Sequence, residues 1–529
     1  MDPTKPHRDV FAVMDLMKSR FFISTALVLA LALPLGVDFW RRMPLDWIWL
    51  NEIQHELFES LDFPGRQWIW TLCCGVYLAL FAFLQWQFGR RSKKVPLSET
   101  PSLLLTGLAA WAVATYAFHH SEDSATTDFA VLLAGITIGQ AVSILKSRRS
   151  QGDGCSILAN ILGSLIVVLT MAGLFPSDEH RYVFYRGIER WSGPWTDPNR
   201  CGLMMGTGVV IALGLAATSL AFPTVSFGSK VQQLVALNER KGSVVRRRTL
   251  GLWRWVPVIL SLMAAVVMAF GLIRTYSRGS WLGTLLALGY LVYSWRKMRV
   301  AKPLWLRWVE RNLFGLIVIG LSVGVIAFWN FKESEQRIVR RTLSLANKND
   351  FSWRNRLAAY EGAMQIMADK PLLGHGWDTP KILYNEFYKP LGLIEGRAIE
   401  LNDYYTLGMT LGIPALACFV WCIYRRLLVG ESSKNLANGL TGGRQSSEIM
   451  QPTTLQPEGE TRRIQLLEAT CRAGVIVLLV GFWFERALCF IGTGATFWIL
   501  LELGTGKKSF TTEKLNRYAN HSVCNAMKI

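Results

Sequence analysis

Apolar runs of about 20 residues, the length that crosses the hydrocarbon core of a bilayer as a helix, recur along this chain from Phe21 almost to its C-terminus. The composition agrees, since 51% of the residues are hydrophobic and 18% are charged. The last two runs are separated only by Glu485 and Arg486 and can instead form a re-entrant hairpin. The sequence predicts an all-α, polytopic membrane protein with about twelve transmembrane helices, at 21–40, 68–88, 102–118, 129–145, 156–175, 202–222, 255–273, 279–295, 312–330, 404–424, 473–485 and 487–503.

The distribution of basic residues predicts the orientation. The net charge is +19, and basic clusters fall in every second loop, at 90–94, 146–149, 246–248, 296–299 and 425–426. By the positive-inside rule these loops and both termini lie in the cytoplasm. The loops 176–201, 274–278 and 331–403 then face outward. A nucleic-acid-binding protein would gather its charge on one folded surface, so the alternation argues against a nucleic-acid partner.

The loops divide the chain into regions. Nine predicted helices occupy residues 1–330, and a large outward loop follows at 331–403. Helices ten to twelve occupy 404–503, with a flexible cytoplasmic loop near 430–463 that is rich in Gly, Ser, Thr, Gln and Pro. Residues 504–529 form a cytoplasmic tail. A membrane protein with one large extramembrane loop among short ones is expected to work at that loop.

The two shorter outward loops contain arginines beside turn residues. The first has Arg186 and Arg190, followed by a Pro- and Gly-containing turn that leads directly into a span. In this turn Asp197 or Asn199 can cap the next helix. The second is a short hairpin tip with Arg274 and Arg278. Arg274 can simply reach toward lipid headgroups, whereas Arg278 precedes Gly279, where the backbone can approach a ligand closely.

The spacing of apolar residues in the large loop predicts a helix over 352–368. Its apolar residues recur at spacings of three and four and form one stripe, which consists of Trp353, Leu357, Tyr360, Met364 and Met367. Arg354 and Arg356 flank the stripe. Such a helix would lie on the bilayer or cap the helix bundle. His375 follows in a glycine-flanked turn, where it can be either structural or chemical.

These outward arginines favour an anionic ligand, because guanidinium groups match phosphate oxygens with paired hydrogen bonds. A lipid-linked diphosphate fits this chemistry. Ordinary contact with lipid headgroups is the alternative. The sequence has no cluster of His and carboxylates at metal-ligand spacing and no phosphate-cradling glycine loop on the cytoplasmic side, so no metal and no cofactor are expected.

In order along the outer face, several motifs resemble the O-antigen ligase and O-antigen polymerase superfamily. They are the Gly-x-x-x-x-Pro-Asn turn at 193–199, Thr275 to Gly283, Arg356 with the helix end and turn at 369–376, and Asn402-Asp403-Tyr404 followed by Gly412. The resemblance covers residues 193–415. The order, the spacing and the predicted sidedness of these motifs together make the resemblance specific.

The resemblance implies a GT-C-like, metal-independent membrane glycosyltransferase in the bacterial inner membrane, with a large periplasmic loop and a periplasmic active face. Ligases of this kind move a glycan from undecaprenyl diphosphate to a lipid A-core sugar, and polymerases extend the glycan on its carrier. The implied partners are a lipid-linked oligosaccharide donor, a glycan or lipid A-core-like acceptor, and membrane lipids. Ligase or polymerase activity in cell-surface polysaccharide synthesis is therefore expected.

The roles of individual residues follow from the resemblance and from the chemistry. Arg278 and Arg356 are expected to bind the diphosphate, and the further substrate-binding candidates are Arg186, Arg190, Arg354, Asn199 and Asn402. The ligase motif has a histidine before its Asn, and Leu401 stands there instead. The base can then be Asp403, Glu400, Glu395 or His375; alternatively, the arginines suffice and water takes the proton, or the chain is inactive. Asp403, at the mouth of a span, is the preferred base because a carboxylate there is costly unless paired.

Two other classes of function remain open at this point. Twelve spans also describe secondary transporters, which bind substrate near the bilayer midplane. This chain instead places its polar groups at the outer surface, which favours an interfacial enzyme. A catalytically inactive scaffold of an envelope glycan assembly complex is the other alternative, because of Leu401.

Overall fold

The computed structural model describes residues 101–118, 123–147, 154–174, 182–185, 188–193, 195, 197–222, 255–297, 351–390, 396–429 and 458–505. The predicted spans 21–40, 68–88 and 312–330 lie outside these residues. So do the termini, Arg186 and Glu395.

The described chain is mostly helical. Three helices, Pro198–Ala221, Val256–Arg274 and the Glu460–Phe482 part of the penultimate helix, are long and apolar enough to cross a membrane. The helices in chain order are α1 (Pro101–Phe118), α2 (Asp123–Ser147), α3 (Gly154–Gly173), α4 (Pro198–Ala221), α5 (Val256–Arg274), α6 (Arg278–Lys297), α7 (Phe351–Asp369), α8 (Thr379–Leu383), α9 (Asp403–Leu411), α10 (Ile413–Tyr424), α11 (Glu458–Phe482) and α12 (Ile491–Gly504). Three single turns of other helix types lie at Tyr384–Tyr388, Gly396–Leu401 and Arg425–Val429.

Some boundaries differ from the sequence prediction. A two-stranded antiparallel hairpin, β1 (Tyr182–Tyr185) and β2 (Ile188–Trp191), precedes α4, so the fold is not strictly all-α. Helix α11 begins at Glu458, so the last six residues of the segment predicted as a flexible loop are helical. Helix α12 has 14 residues, which at 1.5 Å per residue is about 21 Å and shorter than the hydrocarbon core.

The core is built around α4, which packs against α5, α6 and α11. Glycines allow these helices to approach closely, as small residues commonly do in membrane bundles. A Cβ atom added at Gly283 of α6 would lie 2.9 Å from the Val477 carbonyl oxygen of α11. One added at Gly206 of α4 would collide with the Thr284 hydroxyl. The N-terminal halves of α4 and α6 and the C-terminal part of α11 therefore pack closely together.

Helix α7 confirms the helix predicted in the large loop, but its packed face differs from the predicted stripe. Trp353, Leu357 and Met364 of that stripe are exposed. The buried residues are Tyr360 of the stripe together with Ala359, Ala363 and Ile366, and the last three pack against Tyr384, Ile399 and Met409. The small residues allow close contact with the Tyr384 ring, and large residues at those positions would not fit.

The predicted span 404–424 is broken at Gly412, which has φ +89°. The break docks against the turn after α7. The backbone N–H of His375 donates to Met409 O at 2.8 Å, and that of Ile413 donates to Pro371 O at 2.8 Å. A Cβ at Gly374 (φ +69°) or at Gly412 would collide with the facing backbone. Both glycines are thus needed for this contact.

Candidate functional site

The turn between α11 and α12, residues 483–490, is named here the central turn. Residues from the three loops that were predicted to face outward contact this turn. The contacts come from the start of α4, the start of α6, helix α7 and the start of α9. These segments are up to 286 residues from the central turn along the chain, so only the fold brings them together.

The start of α4 binds the central turn through Glu485. The Nδ2 of Asn199 donates to Glu485 Oε2 at 2.8 Å, and Arg190 Nη2 donates to Asn199 Oδ1 at 2.5 Å. Arg200 Nε lies 3.8 Å from Glu485 Oε1. Asp197, not the side chain of Asn199, caps α4. The Asn199 side chain is therefore available to join an arginine to a buried carboxyl.

Arg190 and Arg200 make further contacts that set their positions. Arg190 Nε donates to Thr275 O at 3.0 Å, which ties the hairpin to the turn before α6. Arg200 Nε donates to Arg486 O at 3.2 Å, and its guanidinium lies 3.4 Å from the centre of the Phe490 ring. Both guanidinium groups lie at the N-terminal end of α4.

Arg278 begins α6 in the immediate neighbourhood of the central turn. A Cβ atom added at the next residue, Gly279, would lie 2.8 Å from the Phe484 ring. At the residue after Gly279, Ser280 Oγ donates to Asn199 O at 3.3 Å. The preceding residue pair includes Tyr276 with φ 50°, an uncommon conformation for a residue with a side chain. The tight turn thus places Arg278 beside the segments that carry Asn199 and Phe484.

Helix α7 supplies Arg356. Its Nη1 donates to Phe484 O at 2.8 Å, and the guanidinium lies 5.9 Å from the Phe484 ring centre. One turn along, the Tyr360 hydroxyl donates to Trp483 O at 3.2 Å. Arg354 is exposed on the same helix. Arg356 is therefore the α7 arginine that the structure joins to the central turn.

Asn402 and Asp403 hold the central turn from the start of α9. Asn402 caps α9 by accepting from the N–H groups of Tyr404 and Tyr405, and its Nδ2 donates to Trp483 O at 3.2 Å. Asp403 is 1% exposed. Its Oδ2 accepts from the Ala487 and Leu488 N–H groups at 2.8 and 2.9 Å. Its buried Oδ1 has no hydrogen-bond partner among the described residues.

Both buried carboxyls lie outside the membrane-spanning helices and have raised pKa values. Burial raises the pKa of Asp403 to about 7, although the two backbone hydrogen bonds and the charge of Arg200 oppose the shift. Burial, together with the charge of Asp197, raises the pKa of Glu485 to about 8 against the opposing effects of Arg200, Asn199 and Arg356. Near neutral pH a large share of Glu485 is protonated, and the neighbouring guanidinium charges are then only partly compensated.

Four predicted candidates remain, of which two lie outside the described residues. His375 contacts the backbone of α7, with Nε2 2.9 Å from Ile366 O. A carbonyl only accepts, so Nε2 carries the proton. Burial is the main cause that lowers the pKa of His375. The predicted candidates Arg186 and Glu395 lie outside the described residues, and Glu400 accepts from Arg486 Nη1 at 2.8 Å.

The sequence analysis did not propose Arg200, Glu485, Arg486 or Trp483 as site residues. Arg486 forms ion pairs with Glu400 and with Asp128 of α2. The sequence signal that could have identified these residues is the adjacent pair Glu485-Arg486 within an otherwise apolar stretch. Charged residues at membrane depth commonly mark functional sites. That pair was used only to separate two spans.

These features define a helical membrane protein with an arginine-lined site at one end of its bundle. The family model described as O-Antigen ligase matches residues 263–420, which include Arg278, Arg356 and Asp403. This match supports an O-antigen ligase-related protein with a ligase- or polymerase-like role in glycan assembly. Arg190, Asn199, Arg200 and the central turn lie outside the matched segment. No curated protein sequence matches this chain.

Proposed function

We propose that the protein is a membrane glycosyltransferase that moves or polymerises a glycan from an undecaprenyl-diphosphate-linked donor at the periplasmic face. The observation that supports this most is that Arg356 and Asp403 bind the central turn and that Gly279, next to Arg278, packs against Phe484 of the same turn. A transporter site would be expected nearer the middle of the bundle.

The proposed reaction needs stabilisation of a leaving group. The acceptor hydroxyl oxygen forms a bond to the anomeric carbon, and the bond from that carbon to the diphosphate oxygen breaks with its electron pair on the diphosphate. Positioned cations lower the energy of the charge that develops on the leaving oxygen. We assign this role to Arg278 and Arg356, with support from Arg200 when Glu485 is protonated.

The hydroxyl proton needs an acceptor, which we propose to be Asp403. A carboxyl with a pKa of about 7 is suited to general base chemistry near neutral pH. Its Oδ1 accepts no hydrogen bond from the described residues, so this atom can accept the proton. Because the carboxyl is 1% exposed, the proton reaches it through a water molecule or after a shift of the central turn. This role would replace the family histidine that is absent at Leu401.

The test is release of undecaprenyl diphosphate from a lipid-linked oligosaccharide by the purified protein. Arg278→Ala should lower the release rate about 10²- to 10³-fold, the usual effect of removing one donor to a developing negative charge. The matched control is Arg274→Ala, in the same turn, whose guanidinium lies 5.3 Å from the Phe270 ring centre.

The size of the glycan product separates the two family activities, since chain growth indicates a polymerase and a single transfer a ligase. Equal losses in Arg278→Ala and Arg274→Ala would assign both arginines to headgroup contact. No release by the wild-type protein with several donors and acceptors would favour the inactive scaffold.

A further inference from the structure

Trp483 begins the central turn and is exposed although the residues around it are mostly buried. Its side chain is 41% exposed, whereas Tyr360 is 9% exposed and Asn402 is 1% exposed. Two hydrogen bonds, from the Tyr360 hydroxyl and from Asn402 Nδ2, hold the Trp483 carbonyl. The backbone of this exposed tryptophan is therefore held firmly by helices α7 and α9.

Three tyrosines surround the indole. The ring centres of Tyr360, Tyr404 and Tyr405 lie 6.0, 5.8 and 5.9 Å from that of Trp483, all in tilted or edge-on geometry. Such pairs add to the free energy of packing beyond the buried area. The indole is thus set in one orientation by rings on two helices, and part of its surface is still open.

The aromatic cluster adjoins the proposed diphosphate site. Arg356 and Tyr360 are one helical turn apart on α7 and bind consecutive carbonyl groups of the central turn, those of Phe484 and Trp483. A ligand whose diphosphate contacts Arg356 would therefore place its next chemical group near the indole. In the proposed donor the sugar at the reducing end is attached directly to the diphosphate.

We propose that Trp483, set by the three tyrosines, is the platform on which that first sugar of the lipid-linked donor stacks. A pyranose ring has a C–H face that packs on an aromatic ring and hydroxyl groups at its edge that need polar partners. The Tyr360 hydroxyl and Arg356 provide such polar groups beside the ring. This inference rests on the proposed function and adds a binding site for the sugar to it.

The experiment compares two probes with purified protein in detergent. One is undecaprenyl diphosphate that carries an oligosaccharide, and the other is undecaprenyl diphosphate alone. Trp483→Leu should weaken binding of the glycosylated lipid about tenfold, which is about 1.4 kcal/mol, and change binding of the bare lipid less than about twofold. Trp483→Phe should retain most of the affinity because it keeps an aromatic face.

The matched control is Trp421→Leu. Trp421 is 51% exposed on α10 and stacks on Tyr424 at 5.5 Å, away from the central turn. Its substitution should leave the binding of both probes unchanged. Thermal unfolding of each variant in the same detergent separates lost binding from lost folding.

Other outcomes overturn the proposal. Equal weakening for both probes would assign Trp483 to the polyprenyl chain, and no weakening would make it an interfacial tryptophan of the membrane boundary. Arg278→Ala tests the proposed function separately, since it should weaken binding of both lipids. If it changed neither while Trp483→Leu acted only on the glycosylated lipid, the diphosphate assignment would fail and the sugar platform would stand.

Discussion

The last two helices carry buried charged residues at both ends, and the two ends differ in how those charges are paired. At the end away from the central turn, Glu502 of α12 pairs with Arg426, and Glu468 of α11 lies 3.9 Å from Arg472. Arg472 Nε also donates to Gly504 O, at the end of α12, at 2.8 Å. Both of these arginines have a carboxylate partner on a helix.

At the central turn the pairing is mixed, because Arg486 forms ion pairs with Glu400 and Asp128 whereas other arginines donate to neutral groups. Arg356 donates to a backbone carbonyl, and Arg190 to a carbonyl and an amide oxygen. Arg200 has the buried Glu485 as its partner, but the raised pKa of that carboxyl reduces its negative charge near neutral pH. Arg356, whose hydrogen bond goes to a backbone carbonyl, keeps its positive charge for an anion. We therefore propose that the central turn is the functional end and that the opposite end, named here the closed end, is structural.

The largest expected effect of a change at the functional end is on catalysis. Asp403→Asn keeps an oxygen for the Ala487 and Leu488 N–H groups but removes the basicity. Glycan transfer should fall about 10²- to 10⁴-fold, the range for loss of a general base, with little change in the thermal midpoint. A rate within about threefold of the wild type at normal protein level would exclude Asp403 as the base.

At the closed end the largest expected effect is on stability. Glu502→Ala leaves Arg426 buried without this carboxylate, which should cost about 3–5 kcal/mol of unfolding free energy. Thermal unfolding in detergent measures the loss. Arg425→Ala, at the exposed neighbouring arginine, is the control and should cost little. If Glu502→Ala instead left stability intact and abolished donor binding, the contrast between the two ends would be wrong.

A smaller effect is expected from the ionisation of Glu485. The folded-state pKa is raised above the ordinary 4.5 to about 8, so the folded state binds more protons and stability should fall as pH rises through this window. Donor affinity should fall as pH rises through the folded-state pKa of about 8, because the carboxylate then compensates Arg200 and Arg356. Asp403 contributes in the same direction up to about pH 7.

Glu485→Gln isolates this contribution. It keeps a group that can accept from Asn199 but cannot ionise, so the decline in donor affinity between about pH 7 and 9 should largely disappear. Isothermal titration at several pH values gives the profile. A decline that persisted unchanged in Glu485→Gln would assign the pH dependence to another group.

The sequence predicted helices well where apolar runs were long, as in α4, α5 and α6, and it predicted α7 from a three-and-four periodicity. On α7 it predicted one apolar stripe, of which Tyr360 is buried whereas Trp353 and Leu357 are exposed. The packed face instead uses Ala359 and Ala363, which allow close contact with Tyr384. In a membrane protein, hydrophobicity does not separate the lipid-facing side from the packed side.

The sequence alone determined the helical membrane character, the candidate arginines Arg278 and Arg356, and the O-antigen ligase resemblance. These depend on composition and on residues close together along the chain. The tertiary structure decided which polar groups meet, above all that Asn199, Arg356 and Asp403 converge on a turn that follows them in sequence. Glu485 and Trp483 became site residues only through this convergence, since burial and contacts over such long separations arise from packing and leave no local pattern.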